Sequence, residues 1–151
     1  MLVLTLLHVL AAILWVGGMA FAHLCLRPAA EAVLPPPLRL PLMAGALTRF
    51  FVIAAISAAV LVVTGHAMIV WLGGMAAVTW PVHIMLLLGW VMAGLLAYLL
   101  LVPRRRLVVA VAAADWPQAA AALKQVRLVV TINLALGLVT SGLGASARWV
   151  P

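Results

Sequence analysis

The chain has almost no acid. Only two of its 151 residues are Asp or Glu, Glu31 and Asp115, and neither lies within an apolar segment. A proton-coupled transporter usually carries a carboxylate inside the membrane. A magnesium or calcium site needs several oxygen ligands. This sequence supplies neither, and it has no nucleophile, base and orienter set for hydrolysis. A single cysteine, Cys25, excludes a disulfide framework; in an apolar stretch it reads as a small buried apolar residue. Charged residues of both signs make up 7% of the chain.

What is there in their place is hydrocarbon. Hydrophobic residues are 69% of the sequence and mean hydropathy is +1.35, more than a soluble domain of this size needs. The net charge of +7 is not a nucleic-acid signature, because the basic residues flank apolar segments and form no face of their own. The reading is one all-α, integral membrane domain over residues 1–151. Four spans are expected at Leu2–Leu26, Phe50–Leu72, Val82–Val102 and Leu128–Ala147, each near the ~20 residues that cross a bilayer core. The first span is expected to be retained, since it is longer than a signal-peptide core.

Prolines and glycines mark the breaks. Arg27-Pro28 ends the first span, and Pro35-Pro36-Pro37 with Pro41 argues against one continuous helix in the first loop. Gly73-Gly74 and Trp80-Pro81 punctuate the second loop, and Pro103 stops the third span. Asp115-Trp-Pro-Gln118 reads as a capping box with proline in the first turn. The helix it starts is expected to run through Lys124 and Arg127 into the fourth span.

Eight of the nine basic residues lie in or beside the first and third loops; only Arg148 lies on the other side. The positive-inside rule then places both termini and the short second loop outside. The implied location is a bacterial inner membrane, with the lipid bilayer as partner. Trp71, Trp80 and Trp149 form an outer aromatic belt, and the basic loops attract anionic headgroups.

Two segments 75 positions apart echo each other: His8-Val-Leu-Ala-Ala-Ile-Leu-Trp15-Val16 and His83-Ile-Met-Leu-Leu-Leu-Gly-Trp90-Val91. Pro28 and Pro103 continue the match. Histidine, tryptophan and proline are few here, so their matches weigh more than those of leucine. The echo predicts a four-helix bundle built from two duplicated helical hairpins. His8, His66 and His83 all fall in the outer half of the membrane, while His23 lies near the opposite end, beside Arg27. Imidazole in lipid must find a hydrogen bond or a ligand. Without carboxylates, the remaining donors are imidazole and thioether, which suit haem iron or copper. The leading expectation is a haem b held by His8 and His83, with His66 in reserve. Trp15 and Trp90 would pack around it, and Arg148 would meet a propionate. The alternative is copper on His8, His66 and His83 with Met68, Met75 or Met85. Met68 and Met85 each stand two residues from an imidazole, about 200° around a helix, so one ion would not readily take both members of a pair.

The stretch from His8 through Trp15-Val-Gly-Gly-Met-Ala-Phe21 resembles the first helix of the CopD-like copper-resistance membrane family. That family is related to the HemJ-type protoporphyrinogen oxidases, also four-helix proteins. Arg49-Phe50, opening a helix that reaches Val63-Thr-Gly65, is similar to the second helix. Arg127-Leu-Val-Val-Thr-Ile-Asn133-Leu-Ala-Leu-Gly137 is similar to the fourth. The resemblance implies copper handling, or haem b binding, at His8. HemJ-type proteins carry a functional lysine early in the third helix; here His83 and Met85 stand instead, which favours a symmetric histidine pair over protoporphyrinogen oxidation. The expected function is electron transfer or redox chemistry at the outer face, as a cytochrome or membrane oxidoreductase. Expected partners are a quinone and a periplasmic redox or copper-carrier protein, with a homodimer as one assembly. A third reading is an accessory subunit whose histidines only hydrogen-bond.

Overall fold

A computed structural model describes residues 1–147. Its elements are α1 (Leu2–Phe21), a π-helical segment (Ala22–Leu26), α2 (Arg27–Val33), α3 (Pro36–Trp71), a single 3-10 turn (Met75–Ala77), α4 (Trp80–Leu101), α5 (Pro103–Ala112) and α6 (Trp116–Ser146). They join into four apolar helices, Leu2–Val33, Pro36–Trp71, Trp80–Ala112 and Trp116–Ser146, each long enough to cross a membrane. At 1.5 Å per residue, α3 is about 54 Å long, against about 30 Å of hydrocarbon. The helices therefore outrun the apolar spans, and they do so at the basic end.

Proline explains the starts. A proline occupies the first or second position of α2, α3, α4, α5 and α6, where no backbone N–H is needed. Pro41 was expected to help break the first loop, but it lies inside α3. The break is confined to Leu34–Pro35, because Pro41 is close enough to the helix start to cost one hydrogen bond. Pro103 does not end the helical path either; it opens α5 after a bend at Val102 (φ −116°, ψ −77°). Of the expected capping box one half forms: the Asp115 carboxylate accepts from the Gln118 N–H at 3.0 Å, while the Asp115 N–H goes to the Ala110 carbonyl at 2.9 Å rather than to the Gln118 side chain. α6 runs unbroken past Lys124 and Arg127, as expected.

The π segment has a local cause. The Arg27 N–H reaches back five residues to the Ala22 carbonyl. Pro28 follows, and its ring would press on the carbonyl of Leu24 in an ordinary turn. The widened turn removes that clash. Cys25 sits on the outside of this turn, exposed rather than buried. At the other end, Gly73 (φ +103°) closes α3, with Gly74 N–H bonded to Ile69 O and Gly73 N–H to Val70 O. This double bond is a Schellman closure, and it favours a residue without Cβ.

α1 packs mainly on α3, α4 on α6, and α5 on α6, with α1 also against α6 and α3 touching α4, α5 and α6. The core is uneven along the helices. It is dense toward the basic end, where Leu40, Leu47, Phe51, Leu99, Leu107, Ala119 and Val126 are all nearly inaccessible. Toward the opposite end it thins. No residue before Ala11 on α1 is buried, nor any after Gly137 on α6, and between Pro81 and Met92 α4 buries nothing.

The two echoed segments bury different faces. α1 buries Ala11, Trp15 and Met19. α4 buries Met92, Leu96 and Leu99, which align with Gly17, Phe21 and Leu24, all exposed. The shift of two positions is about 200° of rotation. Trp15 is 3% accessible while its match Trp90 is 54% accessible.

Candidate functional site

His8 lies one turn before Ala11 on the buried stripe of α1, so its ring is directed at α3. There its Nδ1 stands 2.8 Å from Thr64 Oγ1. Thr64 Oγ1 is in turn 2.6 Å from the Val60 carbonyl oxygen. A carbonyl only accepts, so the single hydroxyl proton goes to Val60, and the His8 ring must donate from Nδ1. Nε2 is then left with its lone pair. The ring rests close to the α3 backbone: a Cβ on Gly65 would stand 3.4 Å from His8 Cε1. One turn nearer the end of α1, Thr5 Oγ1 approaches Met68 Sδ at 3.7 Å.

His66 and His83 are held through Nδ1 by a local route. His66 Nδ1 is 2.7 Å from the Val62 carbonyl, and His83 Nδ1 is 3.2 Å from the Thr79 carbonyl. A carbonyl only accepts, so both rings donate from Nδ1 and turn Nε2 away from that bond. All three histidines thus present the nitrogen a metal would take, each held by a bond from the other nitrogen, the arrangement that orients ligating histidines generally.

Their positions differ. His8 is level with Thr64 and Gly65. His66 meets the edge of Trp90 at 5.8 Å between ring centroids, 77° between planes. Trp90 is seven residues beyond His83, so His83 lies about 10 Å nearer the membrane surface than that level. His8 is half-buried; His66 and His83 are exposed between the helices or to lipid. The structure thus brings His8, Thr64, His66 and Trp90 to one depth and leaves His83 about two turns above them. Trp15 is buried, and its indole N–H has no hydrogen-bond partner. Met85 packs on α6, its methyl 3.2 Å from where a Cβ on Gly144 would stand. Met75 is exposed in the turn after α3. Arg148 and Trp149 lie outside the described residues. Among the described residues, no three His, Cys, Asp or Glu side chains gather into a ready metal site.

Two threonines were missed in the sequence. Thr64 fixes His8, and Thr131 does the same for His23 in the π-helical segment. Thr131 Oγ1 is 3.4 Å from His23 Nδ1 and donates to the Arg127 carbonyl at 2.8 Å. The available signal was depth: in an antiparallel hairpin Thr64 falls opposite His8, and a hydroxyl in a span turns toward protein. No protein-family model, no curated protein and no solved structure matches this chain.

Proposed function

We propose that the four helices form a membrane-spanning bundle with both termini and the Gly73-Gly74 turn outside, and that its outer half holds a b-type haem on His8. One observation carries this reading, the chain from His8 Nδ1 through Thr64 to the Val60 carbonyl. It fixes the ring and, in the neutral imidazole, leaves the Nε2 lone pair to a ligand in an acid-free apolar setting. The residues fit the group in two further respects. The core thins at that end, so fewer packed side chains stand in the way of a flat macrocycle, and no competing carboxylate is near. A bound haem would supply a reversible one-electron couple, its potential set by axial ligands and burial. The protein's own part is to orient His8, keep Nε2 free and exclude water. Electrons would pass between a membrane quinol and an outer acceptor.

His83 is the second ligand nominated by the echo, and to meet His8 the ends of α1 and α4 must close across about two turns. His66 needs no such axial movement. We read the echo as shared ancestry of two hairpins, the second repacked in a different rotational phase.

A second reading, copper, is favoured by the contact between Thr5 and Met68. It places a thioether one turn from His8 in the same α1–α3 seam, the imidazole and soft sulfur pair that copper accepts. The test is a reduced-minus-oxidised optical spectrum of the purified protein, with iron and copper quantified in the same sample. A b-type α-band with near-stoichiometric iron, lost in His8→Ala, is expected. The single variants His66→Ala and His83→Ala then identify the second ligand by which one turns the spectrum high-spin. A normal low-spin spectrum in His8→Ala overturns the assignment. Bound copper without a Soret band selects the second reading.

A further inference from the structure

At the basic end, the π-helical segment, α2, α3 and α6 enclose a small cleft of about 40 Å³. Its floor is apolar, with Met43 and Val130, and its rim is charged, with Arg27, Glu31 and Arg127 beside His23. The two arginines come from separate helices and converge on one oxygen. Arg27 Nε donates to Glu31 Oε1 at 3.0 Å, and Arg127 Nη1 stands 3.8 Å from the same atom. One carboxylate neutralises one guanidinium, so a positive charge is left over. The chain has no second carboxylate to offer, because Asp115 is its only other acid and caps α6. The helix that faces the rim, α3, contributes Met43 and Leu47 and no charge. No further side-chain carboxylate lies at this rim.

We infer that this cleft binds a phosphate group. Guanidinium forks match phosphate oxygens by paired hydrogen bonds, and Arg27 and Arg127 are each only partly exposed, so the pair is partly shielded from water. The volume holds roughly three waters by the 10–15 Å³ that each needs, which suits a phosphate and is too small for an acyl chain. The depth suits it too. The rim lies where the apolar spans end, at the level of headgroups on the basic side. His23 completes the rim: its Nδ1 is turned to Thr131, which leaves its other ring nitrogen to hydrogen-bond a headgroup hydroxyl or a bound water. The phosphate belongs either to an anionic lipid headgroup or to a soluble ion.

The whole chain in detergent is titrated with phosphatidylglycerol, with phosphatidylcholine, and with inorganic phosphate, and binding is read by native mass spectrometry and by thermal shift. Phosphatidylglycerol is expected to bind at least fivefold tighter than phosphatidylcholine. The double variant R27Q/R127Q is expected to lose about tenfold in that affinity, while Lys124→Gln, outside the cleft, changes it less than twofold. Stabilisation by phosphatidylglycerol alone assigns the site to a lipid. Displacement of that lipid by inorganic phosphate assigns it to a soluble ion. Equal binding of both lipids without an inorganic phosphate effect, or equal losses in R27Q/R127Q and Lys124→Gln, overturns the inference, since it reduces the effect to a diffuse basic surface. A circular dichroism melt of each variant in the absence of lipid separates loss of the site from loss of fold.

Discussion

At the scale of single residues, the informative groups are hydroxyls. Thr64 is 4% accessible and serves two partners at once, accepting from His8 and donating to Val60. Replacing it by valine keeps the shape and removes both bonds. The His8 Nδ1–H is then left without its acceptor in an apolar seam. Interhelical hydrogen bonds in membranes average a few tenths of a kcal/mol and reach about 1–2 kcal/mol, while a stranded buried donor costs about 1–3 kcal/mol. Thr64→Val is therefore expected to lose about 1–2 kcal/mol of unfolding free energy in detergent, and to weaken whatever His8 ligates. Thr64→Ser, which keeps the hydroxyl, should retain most of both. If serine and valine variants melt alike and bind alike, the relay contributes nothing and His8 is positioned by packing alone.

At the scale of elements, contact between helices is set by small residues opposite methionines and valines. Gly137 on α6 is the tightest such point that involves three helices. A Cβ there would meet Val16 Cγ2 of α1 at 2.9 Å and Met92 Cε of α4 at 3.2 Å. Gly142, five residues on, would meet nothing within 4 Å. Gly137→Ala is thus expected to destabilise by about 1–3 kcal/mol through overpacking. Gly142→Ala should be neutral or gain up to about 1 kcal/mol from helix propensity. Equal effects of the two substitutions would remove the three-helix contact from the account.

The same scale shows what the sequence could and could not convey. All four apolar segments fall on the four helices, overrunning them by one residue at Leu72 and at Ala147, because the cost of an unpaired backbone group in hydrocarbon makes a long apolar run helical. Helix ends were harder, since they depend on caps and proline position rather than hydropathy. Pro117 was placed in a first turn, and the same logic applies to Pro37, Pro81 and Pro103. The rotational phase of α4 was not legible at all. When every face of a helix is apolar, the pattern carries no preference for which face turns inward. The echo of His83 with His8 suggested one phase, and the buried residues Met92, Leu96 and Leu99 have another. His8 could be singled out from the sequence, but its partner Thr64 depended on the pairing of α1 with α3.

At the scale of the whole molecule, charge and packing are polarised the same way. Arg27, Arg39, Arg104, Arg105, Arg106, Lys124 and Arg127 cluster at the end where the core is densest and α5 packs on α6. The other end carries the α3–α4 turn, exposed Trp71 and Trp80, and the three histidines with free Nε2 atoms. A translocation machinery that retains basic loops inside would place the dense end in the cytoplasm and the loosely packed histidine end outside. This orientation can be read directly. In a Cys25→Ala background, single cysteines are introduced as Ala76→Cys in the α3–α4 turn and as Ala113→Cys in the turn between α5 and α6. A membrane-impermeant thiol reagent is then applied to sealed vesicles of known sidedness. In right-side-out vesicles Ala76→Cys should label and Ala113→Cys should not, and inverted vesicles should show the reverse. The opposite pattern would put the histidines on the cytoplasmic side, so that any group bound at His8 would exchange electrons with cytoplasmic rather than outer partners. Labelling of both positions from one side would mean that the helices do not cross the bilayer an odd number of times between them, and the four-span reading would fall with it.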